Sequence, residues 1–161
     1  IIDPDMEFRE ALASHLRSCG YGVETCGNLD EGMAQAAHAN FDLILVENAL
    51  PQSMALTVLP TLQACQSHPC ILLMSQDPGI ALVRTALKEG AFDFLIKPLT
   101  LTQVEKSIAA GLENRQAFLA VCHLSRDLQE ANQQLRKTNQ QLSEQQRLLE
   151  TERDCTLPLL E

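Results

Sequence analysis

Short apolar runs alternate with helix-like patterns along the first two thirds of the chain, and no other feature constrains the fold as strongly. Five runs have the length and composition of strands: residues 1–3, 22–26, 43–47, 70–75 and 92–96. Strands that are separated by helices pair in parallel through crossover connections. The alternation therefore predicts an α/β protein, with a flavodoxin-like, doubly wound sheet of five parallel strands over residues 1–113.

Helix-favouring segments lie between these runs. The predicted helices cover residues 6–18, 29–39, 54–66 and 79–89, and a fifth begins near residue 101. Asp5 and Asn28 precede the first two helices as N-caps, and Gly20 ends the first. Pro60 would remove a hydrogen bond from the interior of the third helix. That helix therefore either starts late, with Pro60 in its first turn, or is kinked.

The fifth helix has no clear stop signal, and a heptad repeat begins in it at Phe118. The a positions are Phe118, Ser125, Asn132, Asn139 and Gln146, and the d positions are Val121, Leu128, Leu135, Leu142 and Leu149. Leucine at every seventh residue is typical of a coiled coil, and Asn at a favours a two-stranded, in-register pair. We expect a parallel homodimer through residues 114–157, with a tail at 158–161 that leads to an output domain. A solvated Gln-rich helix and an antiparallel return onto the domain remain open.

Composition excludes several classes of function. The net charge of −9 argues against nucleic acid as a partner, because contacts to phosphates need clustered Lys and Arg. The sequence shows no signal peptide and no apolar run of membrane-spanning length, so we expect a cytoplasmic protein with no membrane contact. Its six cysteines include no C-x-x-C pair, which argues against zinc and against a disulfide framework.

Polar side chains follow the predicted strands at the points where they end: Asp3, Asp5, Glu47, Ser75 and Lys97. The carboxyl ends of parallel strands meet at one edge of a sheet, so these groups are expected to converge. A fragment of a hydrolase-type enzyme is one interpretation of such a set. However, Ser75 is not in a G-x-S-x-G turn and no His follows a strand, so we expect no enzyme activity.

Four segments resemble the receiver domain of two-component response regulators. They are Ile-Ile-Asp-Pro-Asp at 1–5, Phe-Asp-Leu-Ile-Leu-Val-Glu-Asn-Ala-Leu-Pro at 41–51, Ile-Leu-Leu-Met-Ser at 71–75 and Lys-Glu-Gly-Ala-Phe-Asp-Phe-Leu-Ile-Lys-Pro at 88–98. In that family, acids after the first strand hold Mg²⁺, and an Asp after the third strand takes a phosphoryl group from a histidine kinase. A Ser or Thr and a Lys bind the phosphoryl oxygens. The resemblance implies a histidine kinase or another signalling protein as partner.

The resemblance assigns roles to individual residues. Asp3 matches the first metal acid, Ser75 the hydroxyl and Lys97 the lysine, which precedes a proline that is often cis in relatives. Phe94 occupies the aromatic switch position. His123 lies at an f position of the heptad repeat, so we expect it to face solvent and not to accept phosphate.

Two residues depart from the family pattern. Pro4 stands where the second metal acid is expected, and Glu47 stands where the phosphoacceptor Asp is expected. Glu is one methylene longer than Asp, so its carboxylate would reach roughly the place of a phosphoryl oxygen, pair with Lys97 and accept a hydrogen bond from Ser75. The sequence therefore predicts a pseudo-receiver that signals without phosphorylation and has no cofactor. Phosphotransfer to Glu47 with Mg²⁺ held by Asp3 and Asp5 is the alternative.

Overall fold

The computed structural model describes residues 1–50, 53–65, 67–77 and 79–156, and for 154–156 it describes the backbone alone. The strands are β1 (Leu43–Glu47), β2 (Ala49–Leu50), β3 (Ser53–Met54), β4 (Cys70–Ser75) and β5 (Asp93–Ile96). The helices are α1 (Met6–Ser18), α2 (Leu29–His38), α3 (Leu59–Gln63), α4 (Ile80–Lys88) and α5 (Leu101–Thr156). Internal contacts divide the chain into a first unit, Ile1–Ala117, and a second unit that begins at Phe118.

The main sheet is parallel and follows the order β1-β4-β5 in the part of the chain that the structure describes. The segments 1–3 and 22–26 join it through single bridges, in which Ile2 pairs with both Cys26 and Val46. The prediction of full strands there was too long. Within 22–26 only Cys26 is buried, so little apolar surface favours a longer ladder. The bridges keep the neighbour order of a flavodoxin-like sheet, which confirms the predicted fold class.

Local signals in the sequence set most helix boundaries. Asp5 Oδ1 accepts a hydrogen bond from the Phe8 N–H at 3.1 Å, and Asn28 Oδ1 accepts one from Glu31 at 2.9 Å, as expected of N-caps. The third helix starts late, with Pro60 in its first turn, after a 3-10 turn at Ala55–Val58. That helix is shorter than the predicted 54–66. The antiparallel pair of β2 and β3 was not predicted.

Apolar side chains pack on both faces of the sheet, because successive strand residues point to opposite sides. Ile44, Val46, Ile71 and Leu73 pack with side chains of α2, α3 and α4. Leu45, Leu72, Met74 and Leu95 pack on the other face with Leu12 and Leu16 of α1 and Val104 and Ile108 of α5. Each such buried side chain stabilises the fold by about 1.5–3 kcal/mol relative to exposure. The two layers hold the carboxyl ends of the strands in fixed relative positions.

The second unit consists of the remainder of α5. Its heptad residues Val121, Leu128, Leu135, Leu142 and Leu149 are each between 51% and 66% exposed in the single chain. The described residues include no helix that combines the length and apolar character needed to cross a membrane.

Candidate functional site

The carboxyl edge of the sheet brings together Asp3, Glu47, Ser75 and Lys97, as the sequence predicts. All four line one open cavity, and Asp5 lies at the same cavity. Asp3 follows the bridge at Ile2, Glu47 ends β1, Ser75 ends β4, and Lys97 follows β5. Asp3, Glu47 and Ser75 are buried, so their polar atoms must find partners inside the protein.

Lys97 is the centre of the site, since its ammonium group lies between two buried carboxylates. Lys97 Nζ donates to Asp3 Oδ2 at 2.5 Å and lies 2.8 Å from Glu47 Oε2. The contact with Glu47 is an ion pair and not a hydrogen bond. The buried Oε2 atom of Glu47 has no hydrogen-bond partner of acceptable geometry. The Lys97 side chain is 12% exposed, against 1% for Asp3 and 6% for Glu47. The three groups together carry a net charge of −1.

The surroundings hold Lys97 in its charged form. Burial by itself lowers the pKa of Lys97, but the hydrogen bond to Asp3 and the negative charges of Asp3 and Glu47 outweigh burial, and the pKa is raised above its ordinary value. The ammonium also lies 4.3 Å from the centroid of the Phe8 ring, a cation–π distance. Phe8 belongs to α1, and its contact with the site was not predicted.

The acidic residues do not form the Mg²⁺ site that the family resemblance implies. Asp3 Oδ1 accepts from the Asp5 N–H at 2.9 Å, while Oδ2 is paired with Lys97. The Asp5 carboxylate caps α1, and Pro4 supplies no side-chain oxygen. Mg²⁺ needs closely spaced oxygen ligands in near-octahedral geometry. The residues present therefore do not fit this ion.

Glu47 and Ser75 are fixed by backbone donors. Glu47 Oε1 accepts from the Ala49 N–H at 3.1 Å. Ser75 Oγ accepts from the Asp77 N–H at 3.1 Å, and the predicted hydrogen bond from Ser75 to Glu47 is not formed. The contact with Asp77 is local, since a hydroxyl two residues before an N–H readily closes a turn onto it. Sequence reasoning therefore found both residues but misassigned the partner of Ser75.

Two further residues shape the site and were missed. Asn48 is buried directly after β1, and its Oδ1 accepts from the Leu56 N–H at 3.3 Å. Arg9 Nη1 donates to the Asp3 carbonyl at 2.5 Å, which fixes the backbone beside the carboxylate. A polar residue at a strand end was the available signal for Asn48. No comparable signal marks Arg9.

Phe94 lies in β5, half-buried against the core beside α4. The backbone on the same side is tied to the site, because the Lys97 N–H donates to the Ser75 carbonyl at 2.9 Å. The Lys97–Pro98 peptide bond is cis, in line with the resemblance. The role of Phe94 as a switch residue stays a prediction.

A doubly wound parallel sheet with acids and a lysine at its carboxyl edge defines a receiver-type signalling domain. The family model for the response regulator receiver domain matches residues 1–109, and the chain belongs to that family. This confirms the resemblance read from the sequence.

Known proteins agree with this assignment. The transcriptional activator protein PfeR of Pseudomonas aeruginosa is 31% identical over 105 residues, which cover 65% of this chain and 34% of PfeR. The DNA-binding transcriptional regulator NtrC of Azospirillum brasilense is 27% identical over 135 residues, 84% of this chain and 27% of NtrC. The chain thus spans about a third or less of the curated relatives it matches.

Solved structures show the same fold. A response regulator protein from Burkholderia pseudomallei, crystallised with a phosphorylated aspartic acid, calcium ion and citrate, superposes with a TM-score of 0.64 and 28% identity. The alignment covers 74% of this chain and 71% of that one. A CheY-like receiver domain protein from Methanospirillum hungatei has a TM-score of 0.68 at 20% identity, over 72% and 93% of the two chains.

Proposed function

We propose that this receiver domain is a pseudo-receiver, which signals without being phosphorylated. One observation carries the proposal: the Lys97 ammonium is already shared by Asp3 and Glu47, at 2.5 and 2.8 Å. A lysine that is neutralised by internal carboxylates is not free to bind an incoming phosphoryl group. Glu47 is thus a built-in substitute for that group.

The charges at the site support this substitution. A phosphoryl group carries about −1.5 to −2 at neutral pH, and one carboxylate carries −1. Asp3 and Glu47 together place two negative charges beside Lys97, and Glu47 Oε1 also takes the Ala49 N–H. Glu47 alone carries less negative charge than a phosphoryl group, but its charge is permanent. Accordingly, the domain would remain in one switch state, and regulation would come from partner binding or from assembly.

Phosphorylation chemistry tests the proposal directly. The full chain is incubated with Mg²⁺ and acetyl phosphate, and intact mass is recorded. We expect no phosphoryl adduct on the natural chain. The matched control is the double variant Pro4→Asp/Glu47→Asp, which restores both acids of the family pattern and should gain an adduct. A stable adduct on Glu47 of the natural chain would contradict the proposal and favour the phosphotransfer alternative.

We further propose that α5 pairs in parallel with a second copy of itself. The d-position side chains of the heptad repeat are more than half exposed in the single chain, although all are aliphatic. Burying such a stripe against an identical stripe removes it from water, and Asn132 and Asn139 at a positions favour two aligned strands. The dimer would set the geometry of an output domain.

The dimer has a sharp test with a matched control. Leu135→Asp places a charge in the d stripe, whereas Gln134→Asp places the same charge one residue away at a c position. Light scattering of the full chain should give a dimer for the natural sequence and for Gln134→Asp. For Leu135→Asp we expect a monomer, or an association at least tenfold weaker. A monomeric natural chain would rule out the dimer.

The partners of the whole protein follow by analogy alone. The relative PfeR is named as a transcriptional activator and NtrC as a transcriptional regulator, and we propose that this domain controls an output domain of that kind. A histidine kinase or another signalling protein would act upstream. For the chain itself, the absence of nucleic-acid binding and the cytoplasmic location stay predictions.

A further inference from the structure

Three metal-ligating side chains converge between α1 and α5, within the first unit of the chain. His15 and Cys19 are one helical turn apart at the end of α1, and Glu105 comes from the first part of α5. His15 Nε2 lies 2.5 Å from Glu105 Oε1, and Cys19 Sγ lies 3.8 Å from His15 Nε2 and 3.9 Å from Glu105 Oε1. One ligand atom from each residue therefore lies within 4.8 Å of the others.

We propose that His15, Cys19 and Glu105 bind a divalent transition-metal ion, with Zn²⁺ the best chemical fit. Thiolate, imidazole and carboxylate form the mixed ligand set that Zn²⁺ accepts, whereas Mg²⁺ and Ca²⁺ require oxygen ligands throughout. Three protein ligands leave a fourth tetrahedral position for water. This metal site involves none of the residues at the Lys97 site and is independent of the proposed function.

The distances suit a tetrahedral ion. Zinc bonds of about 2.3 Å to sulfur and about 2.0–2.2 Å to nitrogen or oxygen place ligand atoms about 3.3–3.7 Å apart. The two sulfur distances, 3.8 and 3.9 Å, exceed that range by only a few tenths of an ångström. The hydrogen-bonded His15–Glu105 pair would have to open by about 0.8 Å to admit the ion, a movement within the reach of side-chain rotation.

The environment also favours a cation that enters from solvent. Cys19 is the C-cap of α1, and the carbonyl groups at a helix C-terminus carry partial negative charge. Cys19 is exposed, while the His15 and Glu105 side chains are 30% and 43% exposed. An ion pair between α1 and α5 would need only His15 and Glu105. The thiol within 4 Å of both ligand atoms is what distinguishes a metal site from such a pair.

Binding would join two helices with different connections. α1 begins directly after the Asp5 cap beside the Lys97 site, and α5 is the helix that continues into the heptad repeat. The metal would tie the end of α1 to α5. The sequence does not mark these ligands as a set, because Glu105 is 86 residues from Cys19. His15 and Cys19 also do not belong to a C-x-x-C motif, the usual sequence signal for zinc.

Cobalt and zinc titrations of the reduced full chain test the site. Co²⁺ bound by a thiolate gives a charge-transfer absorption, and competition with Zn²⁺ then yields the Zn²⁺ affinity. We expect one equivalent of metal per chain. Cys19→Ser should abolish the absorption and weaken Zn²⁺ binding at least tenfold, and Glu105→Gln should weaken it as well.

The matched control is Cys122→Ser, which removes another exposed thiol beside a histidine, His123. This variant should bind metal like the natural chain. Circular dichroism of each variant establishes that it is folded. No saturable binding by the natural chain, or unchanged binding by Cys19→Ser, would overturn the proposal, as would loss of binding in Cys122→Ser alone.

Discussion

Removing the Lys97 charge should strongly lower the stability of the fold. Lys97→Met keeps an unbranched side chain of similar length but leaves the Asp3 and Glu47 carboxylates buried without a cation. Removing one partner from a buried ion pair costs about 3–5 kcal/mol, because the remaining charge loses its compensation. A typical domain is stable by only about 5–15 kcal/mol. The substitution should therefore remove a large part of the total free energy of unfolding.

Urea unfolding followed by circular dichroism measures this loss. Lys106→Met is the matched control, since Lys106 is an exposed lysine of α5, and its effect should stay within about 0.5 kcal/mol. Adding Glu47→Gln to Lys97→Met should recover part of the loss, since one unpaired charge is gone. A Lys97→Met variant as stable as Lys106→Met would refute the central role assigned to the ion pair.

Further predictions concern stability and thiol reactivity. They involve alkaline pH, the cap of α1, a buried thiol and a buried glycine. The pKa of Lys97 is raised in the folded state. The contribution of Lys97 to stability is therefore complete below the ordinary lysine pKa and is lost as the pH rises through the higher folded value. Alkaline unfolding of the natural chain should show this loss, and Lys97→Met should lack it. Asp5→Ala removes the cap of α1 and should cost about 1 kcal/mol in urea unfolding, while Asp5→Asn should keep most of the stability. Burial raises the pKa of Cys70 to about 11, so iodoacetamide near neutral pH should label exposed Cys19 and Cys122 well before Cys70; equal labelling rates would contradict this. Gly111→Ala would place a Cβ 2.7 Å from Cys70 Sγ. The overpacking should cost about 1–3 kcal/mol, partly offset by the better helix propensity of Ala. Unchanged stability in urea would contradict the close approach of α5 to Cys70.

Local chemistry explains which elements the sequence predicts well. The bounds of α1, β1 and β4 match the prediction, because an N-cap begins the helix and continuous apolar runs form the two central strands. The convergence of Asp3, Glu47 and Lys97 is also predicted, since the edge of a parallel sheet gathers the ends of its strands.

Long-range geometry explains what the sequence did not predict. The partner of Ser75 Oγ depends on the turn after β4, in which the hydroxyl oxygen accepts from the Asp77 N–H. The cluster of His15, Cys19 and Glu105 depends on how α1 and α5 pack, which no residue pattern records. The segment 22–26 has alternating character but only one buried side chain, so its pairing stops at a single bridge.

Binding of a phosphoryl analogue shows whether Glu47 and Asp3 already occupy the phosphoryl-binding position at Lys97. Mg²⁺ and beryllofluoride are added to the ¹⁵N-labelled chain, and the amide signals of Ala49, Asp77 and Lys97 are followed by NMR. With Lys97 already neutralised by Asp3 and Glu47, these signals should not shift, whereas the Pro4→Asp/Glu47→Asp variant should show saturable shifts. Saturable, Mg²⁺-dependent shifts in the natural chain would contradict the account.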